Sequence, residues 1–364
     1  MRSHLDGKIL GSLMFMASLI ASQPLLSEEP SKSSGNCPQM IQMEGPTVYL
    51  VMPSQAVITD DGAEAYYVEM EEGYDVERAA LIQLNLRQGT SAKINLDESV
   101  TGNEFLLAGF APNGEPIAYS KASLWVFDRS EHAARIIFTA SPGEKINYAT
   151  VQPKTRAILI SLAPQDHPDE STGTLSFCIH DLIKLTWEGN KVQQQKIRTR
   201  REVLPQGAVF DGSGSLFFPM RDVYECEMDE QYELNGGRCL ALSTEVVFTG
   251  GGSPSSFGAL SIAVSKKMIY VYVNRLGGSS PDGCMARFRK LGAPGASARD
   301  DYKESVRLYS KALASIEVLE KEVGYGILCA SANGKHVLMR CNKNWFVIND
   351  DGRPIPQSFR EISL

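Results

Sequence analysis

From about Met40 onward, hydrophobic positions come in short runs separated by polar clusters containing Gly, Pro, Asn or Asp. Runs such as TVYLVM, AEAYYVEM, AALIQLNL, LWVFD, RAILISL, MIYVYV and HVLMRC are rich in β-branched and aromatic residues and too short to sustain a helix. Many short strands with frequent turn residues predict an all-β sandwich, barrel or propeller.

A weak internal repeat separates these architectures. The segments AVITDDGAEAYYV, GFAPNGEPIAYS, ATVQPKTRAILIS, AVFDGSGSLFFP, SIAVSKKMIYVYV and CASANGKHVLMRC each join a hydrophobic strand end, a polar turn and a second hydrophobic strand. Their turn residues Gly62, Gly114, Lys154, Gly214, Lys267 and Gly334 follow one another at intervals of 52, 40, 60, 53 and 67 residues. A propeller blade occupies about 40 to 50 residues, so this spacing predicts a β-propeller with insertions. Asp-Gly and Asn-Gly suit such turns because both residues tolerate positive φ. One stretch breaks the pattern. Asp300–Val323 carries Tyr302, Val306, Tyr309, Leu313 and Ile316 at helical spacing, with Gly324 as a stop, which predicts a helical insertion over 300–323.

The segment GFAPNGEPIAYSKASLWVFDRSEHAARIIF, Gly109–Phe138, resembles one blade of the WD40-like repeats in TolB-type propellers. It carries their Ser-Pro-Asp-Gly-like turn, Ile-Ala-Tyr strand, Leu-Trp-Val-Phe-Asp strand and final strand. Ala330–Gly352 matches in part, and the other repeats match only over a turn and the strand after it. Two of the six turns lack Gly and the blade lengths vary. The resemblance implies six blades, with five and seven as alternatives, and a role for Thr47–Met52 beside the last blade in closing the ring.

The amino terminus has another character. Arg2 and Lys8 precede the apolar run Ile9–Ala21, then small residues (Ala21, Ser22, Ser27) and a polar stretch to Gly35. A helix over that run would be about 20 Å long, short of a bilayer core of about 30 Å. These features predict a secretory signal over 1–22, a linker over 23–38 and a propeller domain over 39–364. The expected location is periplasmic or extracellular, with membrane contact only through the export signal.

Seven cysteines fit an oxidising compartment. Cys226 and Cys239 bracket an acidic loop, and Cys329 and Cys341 flank the turn Asn333-Gly334-Lys335, so both pairs are disulfide candidates. Closing the first loop would stabilise the fold by about 3 kcal/mol through the unfolded chain. The net charge of −7 is spread along the chain, which argues against nucleic-acid binding. The single basic cluster, Lys191, Lys196, Arg198, Arg200 and Arg201, reads as the charged edge of a sheet.

Signals of catalysis are weak. No Gly-x-Ser-x-Gly elbow occurs, and Gly250-Gly251-Gly252-Ser253 is followed by strand patterns rather than the helix a dinucleotide loop requires. His132, His167, His180 and His336 have no metal-ligand spacing. The acidic runs Glu69–Glu77 and Glu227–Glu233 lack the ligand alternation of a calcium loop. Trp125, Trp187 and Trp345 read as strand-core aromatics. No catalytic, cofactor or metal residue is therefore assigned.

The expected function is an exported, non-catalytic binding or scaffold protein that recognises a protein or envelope component through one propeller face. The alternative is a metal-dependent propeller enzyme, lactonase- or lyase-like, with ligands from several blades converging in the central channel. A third reading is an assembly subunit that docks through the helix over 300–323. Several carboxylates, Asn or His at one channel mouth would favour the enzyme, and an apolar, backbone-lined channel would favour binding.

Overall fold

The computed structural model describes residues 56–71, 78–97, 104–166, 181–189, 191–197, 207–219, 223–226, 240–242, 257–275, 283–289, 317–321, 326–341, 344–349 and 360–361. All regular structure among them is β. It falls into six four-stranded antiparallel sheets, each made of strands consecutive in the chain.

The first sheet contains β1 (Ala56–Ile58), β2 (Glu64–Glu71), β3 (Arg78–Asn85) and β4 (Thr90–Ile94). The second contains β5 (Leu106–Phe110), β6 (Pro116–Tyr119), β7 (Ser123–Asp128) and β8 (Ala133–Thr139). The third contains β9 (Glu144–Val151), β10 (Ile158–Pro164), β11 (Asp181–Glu188) and β12 (Lys191–Ile197). The fourth contains β13 (Val209–Phe210), β14 (Leu216–Pro219), β15 (Val223–Cys226) and β16 (Leu240–Leu242). The fifth contains β17 (Phe257–Val264), β18 (Met268–Arg275), β19 (Gly283–Arg289) and β20 (Glu317–Lys321). The sixth contains β21 (Gly326–Ala330), β22 (His336–Cys341), β23 (Asn344–Asn349) and β24 (Arg360–Glu361).

Each repeated turn of the sequence lies between the first and second strand of one sheet. The arrangement is that of a propeller. The first strands meet one another: β1 touches both β5 and β21, β5 touches β9, and β17 touches both β13 and β21. The Tyr148 hydroxyl of β9 donates to the Ala208 carbonyl, just before β13, at 2.6 Å. The fourth strand is the opposite edge of each sheet. β4 and β12 are largely exposed, and β8 buries little beyond Phe138.

Between sheets, the faces pack as apolar layers. Tyr66, Leu81, Phe105 and Trp125 join the first sheet to the second, and Tyr119, Val126, Ile158 and Leu185 share a cluster across the second and third. Tyr270 and Tyr272 of the fifth pack with Val337 and Met339 of the sixth. The ring closes where Tyr67 of β2 meets Trp345 of β23, centroids 4.8 Å apart, with the Arg340 guanidinium over both rings. Such an aromatic pair contributes about 1 kcal/mol beyond its buried area. Thr47–Met52, expected beside this seam, lie outside the described residues.

Two expectations are corrected. The helix over 300–323 gives way at its end to β20, which pairs with β19, Cys284 opposite Lys321 and Arg287 opposite Glu317. Pairing there satisfies an edge of β19 that would otherwise be open, and this outweighs a local helical preference. The periodic residues from Tyr302 to Ile316 lie outside the described residues. The pairing of Cys329 with Cys341 also fails. In the β21–β22 ladder Cys329 faces Leu338 and Cys341 faces Gly326, three residues along, and Cys329 is a free, buried thiol. At about 3.4 Å per residue, that offset separates the two positions by about 10 Å along the strand. Cys226 lies in β15, whereas Cys239 lies outside the described residues.

Candidate functional site

The hairpin between first and second strands is capped by a short polar side chain in four sheets, from the residue just before the left-handed glycine in three of them and from three residues before it in the fourth. Asp61 Oδ1 accepts from the Ala63 N–H, Asn113 Oδ1 from Glu115, Asp211 Oδ1 from Ser213, and Asn333 Oδ1 from Lys335. A short polar side chain thus caps the turn, and a glycine takes the left-handed position: Gly62, Gly114, Gly214 and Gly334, with φ from 67° to 100°. In the third sheet the turn runs Pro153-Lys154-Thr155-Arg156, closed by the Arg156 N–H donating to the Gln152 carbonyl at 2.8 Å. Here the left-handed position belongs to Arg156, with φ of 56°. A side chain in that conformation costs about 1–2 kcal/mol relative to glycine.

The six first strands surround a channel with a cavity of about 90 Å³. Its wall is mainly apolar side chain and backbone, including Ala56, Ile58, Leu107, Val151, Phe210 and Val264. The polar groups in the wall are satisfied or neutral. Burial pushes the Tyr148 phenol and the Cys329 thiol far above their ordinary values, so neither ionises near neutral pH. Ser331 Oγ donates to Asn333 Oδ1 at 2.8 Å and accepts from the His336 N–H at 3.0 Å.

At the hairpin end, five of the turns frame a wider cavity of about 430 Å³. Asp60 is its hub. Its carboxylate pairs with Arg156 from the third sheet and accepts the Asn333 N–H from the sixth at 2.9 Å, while its carbonyl accepts from Asn333 Nδ2, also at 2.9 Å. The Lys266 N–H of the fifth sheet donates to the Gly334 carbonyl at 3.0 Å. Asp211 of the fourth is buried, and its Oδ1 accepts from Ser213, Gly214 and Ser215. The Asp60–Arg156 pair is partly exposed and stabilises the fold by no more than about 1 kcal/mol. Its effect is geometric: it ties the turn of the first sheet to that of the third.

Both carboxylates of this mouth are thus committed to partners in the chain. Among the described residues no three His, Cys, Asp or Glu side chains group as metal ligands would. His132 sits in the β7–β8 turn against Phe127, and His336 packs beneath Gly62. Trp125 and Trp345 are buried and Trp187 packs against the core, as strand-core aromatics. Lys191 and Lys196 lie on the exposed edge strand β12, Lys196 paired with Asp181; Arg198, Arg200 and Arg201 are outside the described residues, as are His167, His180 and Gly250–Ser253. Asp60 and Arg156 lie in repeated hairpins where, taken locally, each is an ordinary polar turn residue. The two are 96 residues apart, and only the closed ring brings them together.

The sequence matches no protein-family profile and no characterised protein. Among solved structures, the chain is similar to hydrazine synthase of Kuenenia stuttgartiensis at 14% identity, over 82% of this chain and 84% of that one, with a TM-score of 0.43. It is similar to the β-propeller domain of the Trilobed protease from Pyrococcus furiosus at 12% identity, over 83% and 80%, with a TM-score of 0.38. It is also similar to oligogalacturonate lyase from Vibrio parahaemolyticus at 11% identity, over 85% and 78%, with a TM-score of 0.38.

Proposed function

We propose that this chain is an exported, non-catalytic propeller of six blades, one per four-stranded sheet, related to the WD40-like TolB-type repeats. It acts in the periplasm or outside the cell and recognises a protein or envelope component through one face of the disc. The observation that carries this reading is the channel, whose wall is mainly apolar side chain and backbone. The acids at its mouth support it too, because they are spent on contacts between turns. A hydrolase or lyase centre needs a free base, nucleophile or metal carboxylate at such a place.

The test is elemental analysis of the chain from about Ser27, with thermal melting before and after chelator. The expected result is no stoichiometric metal and an unchanged melting temperature. A stoichiometric metal whose removal lowers the melting temperature overturns the reading in favour of a metal-dependent propeller enzyme.

A further inference from the structure

The mouth cavity is more cationic than the rest of this acidic chain. Lys154, Arg156 and Lys266 line it against Asp60 and Asp211. Arg156 holds Asp60, and Asp211 accepts hydrogen bonds from its own turn. Lys154 and Lys266 are both exposed, and neither side-chain ammonium has a hydrogen-bond or ion-pair partner among the described residues, although the Lys266 backbone N–H is held by Gly334. Two ammonium groups from different sheets therefore flank a cavity whose volume, about 430 Å³, is that of a small-ligand site.

A second observation concerns Arg156. Four of the equivalent turns place glycine at their left-handed position, where the backbone is relaxed. The third places arginine there, in a sparsely populated conformation that projects a guanidinium at the mouth. Asp60 engages one of its terminal nitrogens, and a guanidinium has five N–H donors in a planar fork suited to carboxylate.

We propose that this mouth is a binding site for a small polycarboxylate. One carboxylate of the ligand shares the Arg156 fork beside Asp60, and the others pair with Lys154 and Lys266. The site goes beyond the recognition reading and does not depend on it, because it uses the hairpin end of the channel alone.

The experiment is a calorimetric titration of the chelator-treated, dialysed protein with propane-1,2,3-tricarboxylate at low ionic strength. The expected result is saturable one-site binding. The Lys154→Gln/Lys266→Gln variant should weaken it at least tenfold. Arg156→Gly should do the same while leaving the melting temperature of the free protein within a few degrees, since glycine relaxes that backbone position. Lys191→Gln, on the outer strand β12, should bind as the parent chain does. Absence of saturable binding overturns the proposal, as does equal binding by the mouth variants. Equal binding of the neutral trimethyl ester, or of inorganic phosphate at the same concentration, also overturns the assignment to a polycarboxylate. Because the titration reads neither metal content nor partner capture, its failure is distinct from a failure of the recognition reading.

Discussion

Gly109 shows how closely the inner strands approach. It lies at a register shift in β5 with φ of 147°, and a Cβ built on it would stand 2.7 Å from Val151 Cγ2 of β9. Val151 is a branched side chain in the neighbouring first strand, so it has little room to give. Gly109→Ala should destabilise the protein by about 2–4 kcal/mol, combining backbone strain with overpacking. Gly114→Ala, with positive φ but nothing within 4 Å, isolates the backbone component and should cost about 1–2 kcal/mol. Urea unfolding of the two variants measures the difference; equal losses would mean that β5 and β9 do not approach in this way.

At the scale of elements, the hairpins were legible because their chemistry is local. Asn-Gly, Asp-Gly and the hydrophobic runs beside them identify a turn without knowledge of the rest of the chain. Cross-strand register was less legible. Cys329 and Cys341 flank the turn Asn333-Gly334-Lys335, but the hairpin is centred between Asn333 and Gly334, which puts Cys329 opposite Leu338. β20 is hard to read for a related reason: its partner β19 is distant in sequence, and only that pairing fixes it as a strand. Peptide mapping under non-reducing conditions should recover Cys329 as a free thiol, alkylated only after denaturation, because it is buried and its thiolate is disfavoured. A peptide in which Cys329 is bridged to Cys341 would contradict the register.

At the scale of the molecule, the propeller class was readable from the repeat, whereas the mouth was not. Asp60, Arg156 and Asn333 sit in three hairpins far apart in sequence, and closure of the ring alone makes them neighbours. A polar residue in a turn reads as solvated until the partner across the channel is known. Six sheets place their first strands around one channel, and the fourth strands β4, β8 and β12 are largely exposed. Hydrogen exchange followed by mass spectrometry tests this most directly. Peptides from β1, β5, β9, β13, β17 and β21 should all be protected for the longest times, with β4, β8 and β12 exchanging first. If any of those first strands exchanged as fast as β4, β8 and β12, it would not lie at the channel, and the ring as described would be contradicted.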